Sequence, residues 1–115
     1  MTAEDFRRIA LSFEGTIEGS HMRHPDFRVA GTIFATLGYP DAASGMVKLP
    51  PDEQRRLIEA LPGVFTTAAG KWGEQGSTLV RLMAVKPPVL QHAIELAWHH
   101  VSENAHADKR KKAGI

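Results

Sequence analysis

Cysteine is absent from this 115-residue chain, which excludes disulfides, thiolate nucleophiles and thiolate-held metals. No apolar run approaches the roughly 20 residues that a membrane-spanning helix needs. The opening MTAEDFRRIA is a charged amphipathic pattern rather than a signal peptide, so the expectation is a cytoplasmic protein with no membrane partner. Charge of one sign is scarce too: 14 Lys and Arg against 13 Asp and Glu leave +1, too little to imply nucleic acid by itself. There is no G-x-S-x-G elbow, Walker A loop or dinucleotide fingerprint. These absences set the expectation of a non-catalytic domain without a cofactor.

What is present is ordinary for one globular domain: 43% hydrophobic and 23% charged residues. The stretch Asp26–Leu37, DFRVAGTIFATL, alternates at a two-residue period and breaks at Ala30-Gly31. That pattern predicts a β-hairpin. Pairing Val29 with Thr32 places Phe27 opposite Phe34 and Arg28 beside Ile33. Ile33, Ala35 and Leu37 then share one strand face and form an apolar patch if uncovered.

Around this hairpin the other elements fall into place. Thr2 caps a first helix with Asp5 in the capping-box position, and Phe6, Ile9, Ala10 and Phe13 form its stripe. Thr16–Arg23 reads as a weak polar edge strand, and His24-Pro25 as a corner. Gly45–Leu49 is a strand with Lys48 in its middle. Pro51 opens a helix whose buried side is Leu57, Ile58 and Leu61. Val64–Thr67 is a short strand, Ala69–Ser77 a glycine-rich loop that turns Trp72 against the core, and Thr78–Val85 a strand centred on Arg81. Pro87-Pro88 opens the last helix, striped by Val89, Leu90, Ala93, Ile94, Ala97, Trp98 and Val101. The fold class is α+β: a two-layer sandwich of order α-β(3)-α-β(2)-α, with helices on one face of a largely antiparallel sheet. Residues 1–104 make up the domain, and 105–115 a basic, mobile tail holding Lys109-Arg110-Lys111-Lys112.

Four constellations bear on chemistry. The histidines at 21, 24, 92, 99, 100 and 106 do not converge as ligands: His99 and His100 point about 100° apart on a helix, and His21-x-x-His24 lacks a third partner. No metal is expected. Glu18 beside the His21–Asp26 corner is a polar sheet edge. Gly70, Gly73 and Gly76 recur at three-residue spacing without the helix context of a phosphate cradle. Arg28, Lys48 and Arg81 sit mid-strand in three different strands and can share the solvated face of the sheet.

The run His21-Met22-x-His24-Pro25-Asp26-Phe27-Arg28-Val29, then Gly31-x-Ile33-Phe34-Ala35-Thr36-Leu37, resembles the MmcQ/YjbR family signature. Gly45-Met46-Val47-Lys48-Leu49, Trp72-Gly73-x-x-Gly76 and Ala97-Trp98 follow it in the same order. The resemblance implies the same two-layer fold and a domain commonly labelled DNA-binding. Thr32 departs from the lysine often found after the hairpin glycine, and Ala30 from a frequent second glycine, which points the turn towards type II.

The expected function is a small binding domain that takes DNA on a basic open sheet face and hairpin, through Arg28, Lys48, Arg81, Lys71 and Trp72. Two alternatives stand beside it. One is a protein-interaction module resembling secretion-chaperone or frataxin-like domains. The other is an uncharacterised enzyme with a pocket near His21, His24 and Trp72.

Overall fold

The computed structural model describes residues 1–113, with side chains described through Ala105. Helix α1 (Ala3–Leu11) starts at a full capping box: Thr2 Oγ1 accepts from the Asp5 N–H at 3.1 Å, and Asp5 Oδ2 accepts from Thr2 N–H at 2.8 Å. Phe6, Ile9 and Ala10 make its buried stripe. Strands β1 (Ile17–His21), β2 (His24–Val29), β3 (Thr32–Leu37) and β4 (Ser44–Lys48) follow, then α2 (Pro51–Ala60), β5 (Phe65–Thr67), α3 (Gly70–Glu74), β6 (Ser77–Arg81) and α4 (Pro87–Ala113). All six strands join one antiparallel sheet in the order β1-β2-β3-β4-β6-β5. The α+β sandwich expected from the sequence is therefore the fold, with the weak edge strand as β1 and a short helix, α3, before the last strand.

The register separates the two faces. One cross-strand row runs through Phe27, Ala35, Val47 and Thr78, and a second through Leu37, Gly45, Val80 and Phe65. These residues are buried with Phe6, Leu90, Ala93, Ile94 and Ala97 of α1 and α4. Gly45 permits that contact, because a Cβ there would lie 2.6 Å from the Phe6 ring. The alternate row, Gly19, Asp26, Thr36, Met46, Leu79 and Thr66, crosses the whole sheet on the other face.

Several local expectations change. Val29 pairs with Thr32 and Arg28 with Ile33, but Phe27 pairs with Ala35 rather than Phe34. Phe34 is the extra residue of a β-bulge, and both phenylalanines are buried. The bulge also separates Ile33 from Ala35 and Leu37, which are in the core, so these three do not form a shared patch. Ala30 (φ 52°) and Gly31 (φ 80°) are both left-handed, the type I′ pattern and not type II. His24-Pro25 is no corner: His24 pairs with His21 across a second two-residue turn, Met22-Arg23, also left-handed at both positions.

Further along, Leu57 and Ile58 of α2 and Leu61 just after it are only half-buried against the core, while Gln54 is buried. The Gln54 amide donates to the carbonyls of Gly73 (3.0 Å) and Ser77 (3.1 Å), tying α2 to α3 and β6. Strand β6 ends at Arg81 instead of centring on it, because the Ala84 and Val85 N–H groups turn back to the Arg81 carbonyl. Helix α4 continues past Asn104 to Ala113; the side chains of the Lys109–Lys112 run lie outside the described residues. Trp98 is half-buried, stacked on Phe13, and donates from Nε1 to the Glu14 carbonyl at 2.9 Å.

Candidate nucleic-acid interface

Asp26 is the structural centre of the face away from the core. It is fully buried, and its carboxylate accepts three hydrogen bonds: Arg28 Nε to Oδ1 (2.8 Å), Arg28 Nη2 to Oδ2 (3.1 Å) and His21 Nδ1 to Oδ2 (2.7 Å). Alternation makes this possible, since residues two apart on a strand share a face. Gly19 opposite leaves the room: a Cβ there would lie 3.1 Å from Asp26 Oδ1 and 3.2 Å from Arg28 Nε. The hydrogen-bonded Arg28 guanidinium, with His21 adding a smaller share, holds the Asp26 carboxyl below its usual range against the opposing effect of burial. Asp26 in turn raises Arg28.

Beside this pair lies a groove of about 650 Å³. Its floor includes Ile33, Thr36, Met46, Lys48 and Ser77 of the open face; the hairpin tip (His21, Met22), α3 (Trp72, with Gln75 after it) and α4 (His100, Asn104) complete the lining. Among the described lining residues there is no carboxylate, one lysine and two histidines. Trp72 and Met22 present large apolar surfaces to solvent, 61% and 84% exposed. Trp72 does not fold onto the core as expected. Gly73 takes the inward place in α3 instead, where a Cβ would meet the Ala68 carbonyl at 1.8 Å. Close packing thus explains two glycines of the run, Gly73 and Gly76 (φ 112°), the latter pressed against the Leu49 carbonyl, while Gly70 has open space around it and a left-handed φ of 70°.

The expected site residues fall into three groups. Arg28, Lys48 and Arg81 all alternate with core-facing residues and so share the open face. Lys48 lines the groove with Trp72, and has no carboxylate partner among the described residues. Arg28 is engaged with Asp26. Arg81 lines a separate depression of about 210 Å³ with Pro40, Asp41 and Ser44. Lys71 is exposed on α3 beside Trp72 but outside the groove lining. Of the residues weighed for an enzyme pocket, His21 and Trp72 meet in the groove, whereas His24 packs edge-on against Tyr39. Among the described residues no Ser or Thr hydroxyl bonds a histidine, and no three His, Asp or Glu side chains cluster as a metal site. The groove contributions of Met22, Met46, Gln75 and His100 were not legible as a set, since they come from four separate elements.

A six-stranded antiparallel sheet with α1 and α4 packed on one face, and a groove lined by the other face, α3 and His100 and Asn104 of α4, defines a compact α+β domain. The sequence model of the YjbR family matches residues 11–100, and the chain belongs to that family. Among solved structures, the Deinococcus radiodurans protein DR2400, a DUF419 domain protein, is similar with a TM-score of 0.78 at 17% identity. The match covers 99% of this chain and 88% of that one, a likeness of fold. No curated protein matches the sequence. No described helix is long and apolar enough to cross a membrane.

Proposed function

We propose that this domain is a non-catalytic binding module that takes single-stranded nucleic acid in the open-face groove, with Lys48 on a phosphate and Trp72 as a stacking platform. The observation that carries this reading is the joint lining of one carboxylate-free groove by Lys48 and Trp72. Single strands bind where a cationic track meets exposed aromatic rings, and a β-sheet face is a common platform for splayed bases. Duplex DNA is a poorer fit. Affinity for a duplex grows with the number of phosphates neutralised, and of Arg28, Lys48 and Arg81 only Lys48 reaches the groove, and it does so without a carboxylate partner among the described residues. A protein segment is the second reading, favoured by the exposed Met22 and Trp72 at the groove.

Fluorescence anisotropy with labelled single-stranded and duplex oligonucleotides, run over a salt series, separates these readings. The single strand is expected to bind more tightly than the duplex, with affinity falling as salt rises. Trp72→Ala should lose about 1–3 kcal/mol, the value of one base–aromatic stack. Absence of binding at low salt, or indifference to Trp72→Ala, would refute the assignment.

A further inference from the structure

We propose that His21 is a phosphate-contacting residue of the groove and that Asp26 is the positioning residue that holds its ring; this rests on reading the groove as a single-strand site. The inference starts from hydrogen-bond inventory. Asp26 is buried beneath the open face, and its two oxygens already accept from Arg28 at 2.8 and 3.1 Å. An ionised carboxylate has no proton to give, so the 2.7 Å contact to His21 Nδ1 has the ring as donor. The ring tautomer is thereby fixed. The nitrogen left over is Nε2, on a ring that lines the groove with Lys48.

A phosphate oxygen is an acceptor, so Nε2 can contact it only as N–H. In that state both ring nitrogens donate, Nδ1 to Asp26 and Nε2 to phosphate, and the imidazolium lies between two anions. From the neutral ring, binding takes up one proton from solvent at Nε2, and no covalent bond changes. The charged and titratable groups around the ring fit this. Asp26 and Arg28 neutralise each other on β2, leaving the buried carboxylate little net field to repel a phosphate. His24 pairs with His21 across the hairpin, and Lys48 from β4 and His100 from α4 line the same groove. No further carboxylate lines it among the described residues. A neutral ring accepting from a ligand donor is the opposite chemistry, and proton linkage distinguishes the two.

The test is oligo-dT binding by anisotropy at low salt across the histidine range, for the wild type, His21→Gln, His24→Gln and Asp26→Asn. Wild-type affinity is expected to rise as pH falls. His21→Gln should flatten that rise and lose about tenfold at its acid end, the worth of one charge-assisted hydrogen bond. Asp26→Asn should flatten it too, while His24→Gln should leave it in place. Because Asp26→Asn is expected to lower stability, ring ¹⁵N shifts of the wild type give a second readout: Nδ1–H in the free protein above the histidine range, with Nε2 also protonated once oligonucleotide is added. A wild-type pH profile in His21→Gln, or affinity that falls with acid, would overturn the role of His21 and leave the groove reading standing. If no oligonucleotide binds at all, the groove reading fails by itself. Calorimetry with thymidine monophosphate against thymidine then tests His21 alone: a phosphate preference lost in His21→Gln supports the contact, and no preference overturns it.

Discussion

Arg28 and Lys48 occupy comparable places in the sequence, each a mid-strand cation between apolar neighbours, yet the fold puts them to different uses. Arg28 lies two residues from a buried carboxylate on its own strand face and is joined to it by two hydrogen bonds. Lys48 has Ser77 as its cross-strand neighbour and lines a groove without carboxylates among its described residues. A cation on an open sheet face is therefore a ligand contact only if the alternating residues beside it leave it unneutralised. The spacing Asp26-x-Arg28 was visible in the sequence and signals the pairing, because strand alternation puts positions i and i+2 side by side.

The sharpest way to break this comparison is to remove the layer beneath both regions. Phe27→Ala, on the core face between Asp26 and Arg28, should cost about 3–5 kcal/mol, read as a lowered midpoint in urea. A loss under about 1 kcal/mol would mean that the two faces are not divided as the register places them. Asp26→Asn comes next, at about 2 kcal/mol, since it weakens hydrogen bonds made by a charged and buried acceptor. Arg28→Gln should lower the melting temperature, and the double variant should lose less than the sum of the two, as members of one network do. Lys48→Gln should stay within about 0.5 kcal/mol of wild type.

Acid sharpens the same contrast. Asp26 is held below the ordinary, unfolded value of an aspartate in the folded state, so the folded protein binds fewer protons than the unfolded chain there. Its stabilisation is fully present above that unfolded value and is lost as pH falls through the depressed folded value. Urea midpoints measured from about pH 6 down to pH 2 should show that loss in the wild type. Arg28→Gln, lacking the largest cause of the depression, should show a weaker acid dependence, and Lys48→Gln should follow the wild type.

A smaller effect concerns the hairpin. Ala30 holds φ 52°, strained for a residue with a Cβ, so Ala30→Gly should raise stability by up to about 1 kcal/mol in the same denaturation assay.

Much of the fold could be read from periodicity, because a buried face imposes it. The stripe of α1 with its capping box, the Val29–Thr32 register and the apolar face of α4 all follow from spacing alone. The misreadings occur where one residue decides between near-equal options. Pro25 suggested a corner, yet the extended conformation it imposes on His24 suits a strand equally well, and the Met22-Arg23 turn carries no glycine or asparagine to announce it. The bulge at Phe34 adds no unusual residue; it leaves both phenylalanines in the core and turns Ala35 and Leu37 onto that face with them. Trp72 looked like a core residue by type, but the close approach of Gly73 to Ala68 turns it outward. At the candidate site, Lys48 and Trp72 were legible as individuals; their meeting in one groove depends on sheet register and on α3, which composition does not reveal.

The most direct measurement is the salt dependence of single-strand binding in Arg28→Gln and Lys48→Gln, compared with wild type in one titration series. If Lys48 neutralises a phosphate and Arg28 only positions Asp26, Lys48→Gln should reduce the slope of log affinity against log salt by about 0.7, the value for one phosphate on a single strand. Arg28→Gln, assayed below its melting temperature, should keep the wild-type slope. Equal flattening by both substitutions, or a flattening by Arg28→Gln alone, would contradict the division of roles between the two cations.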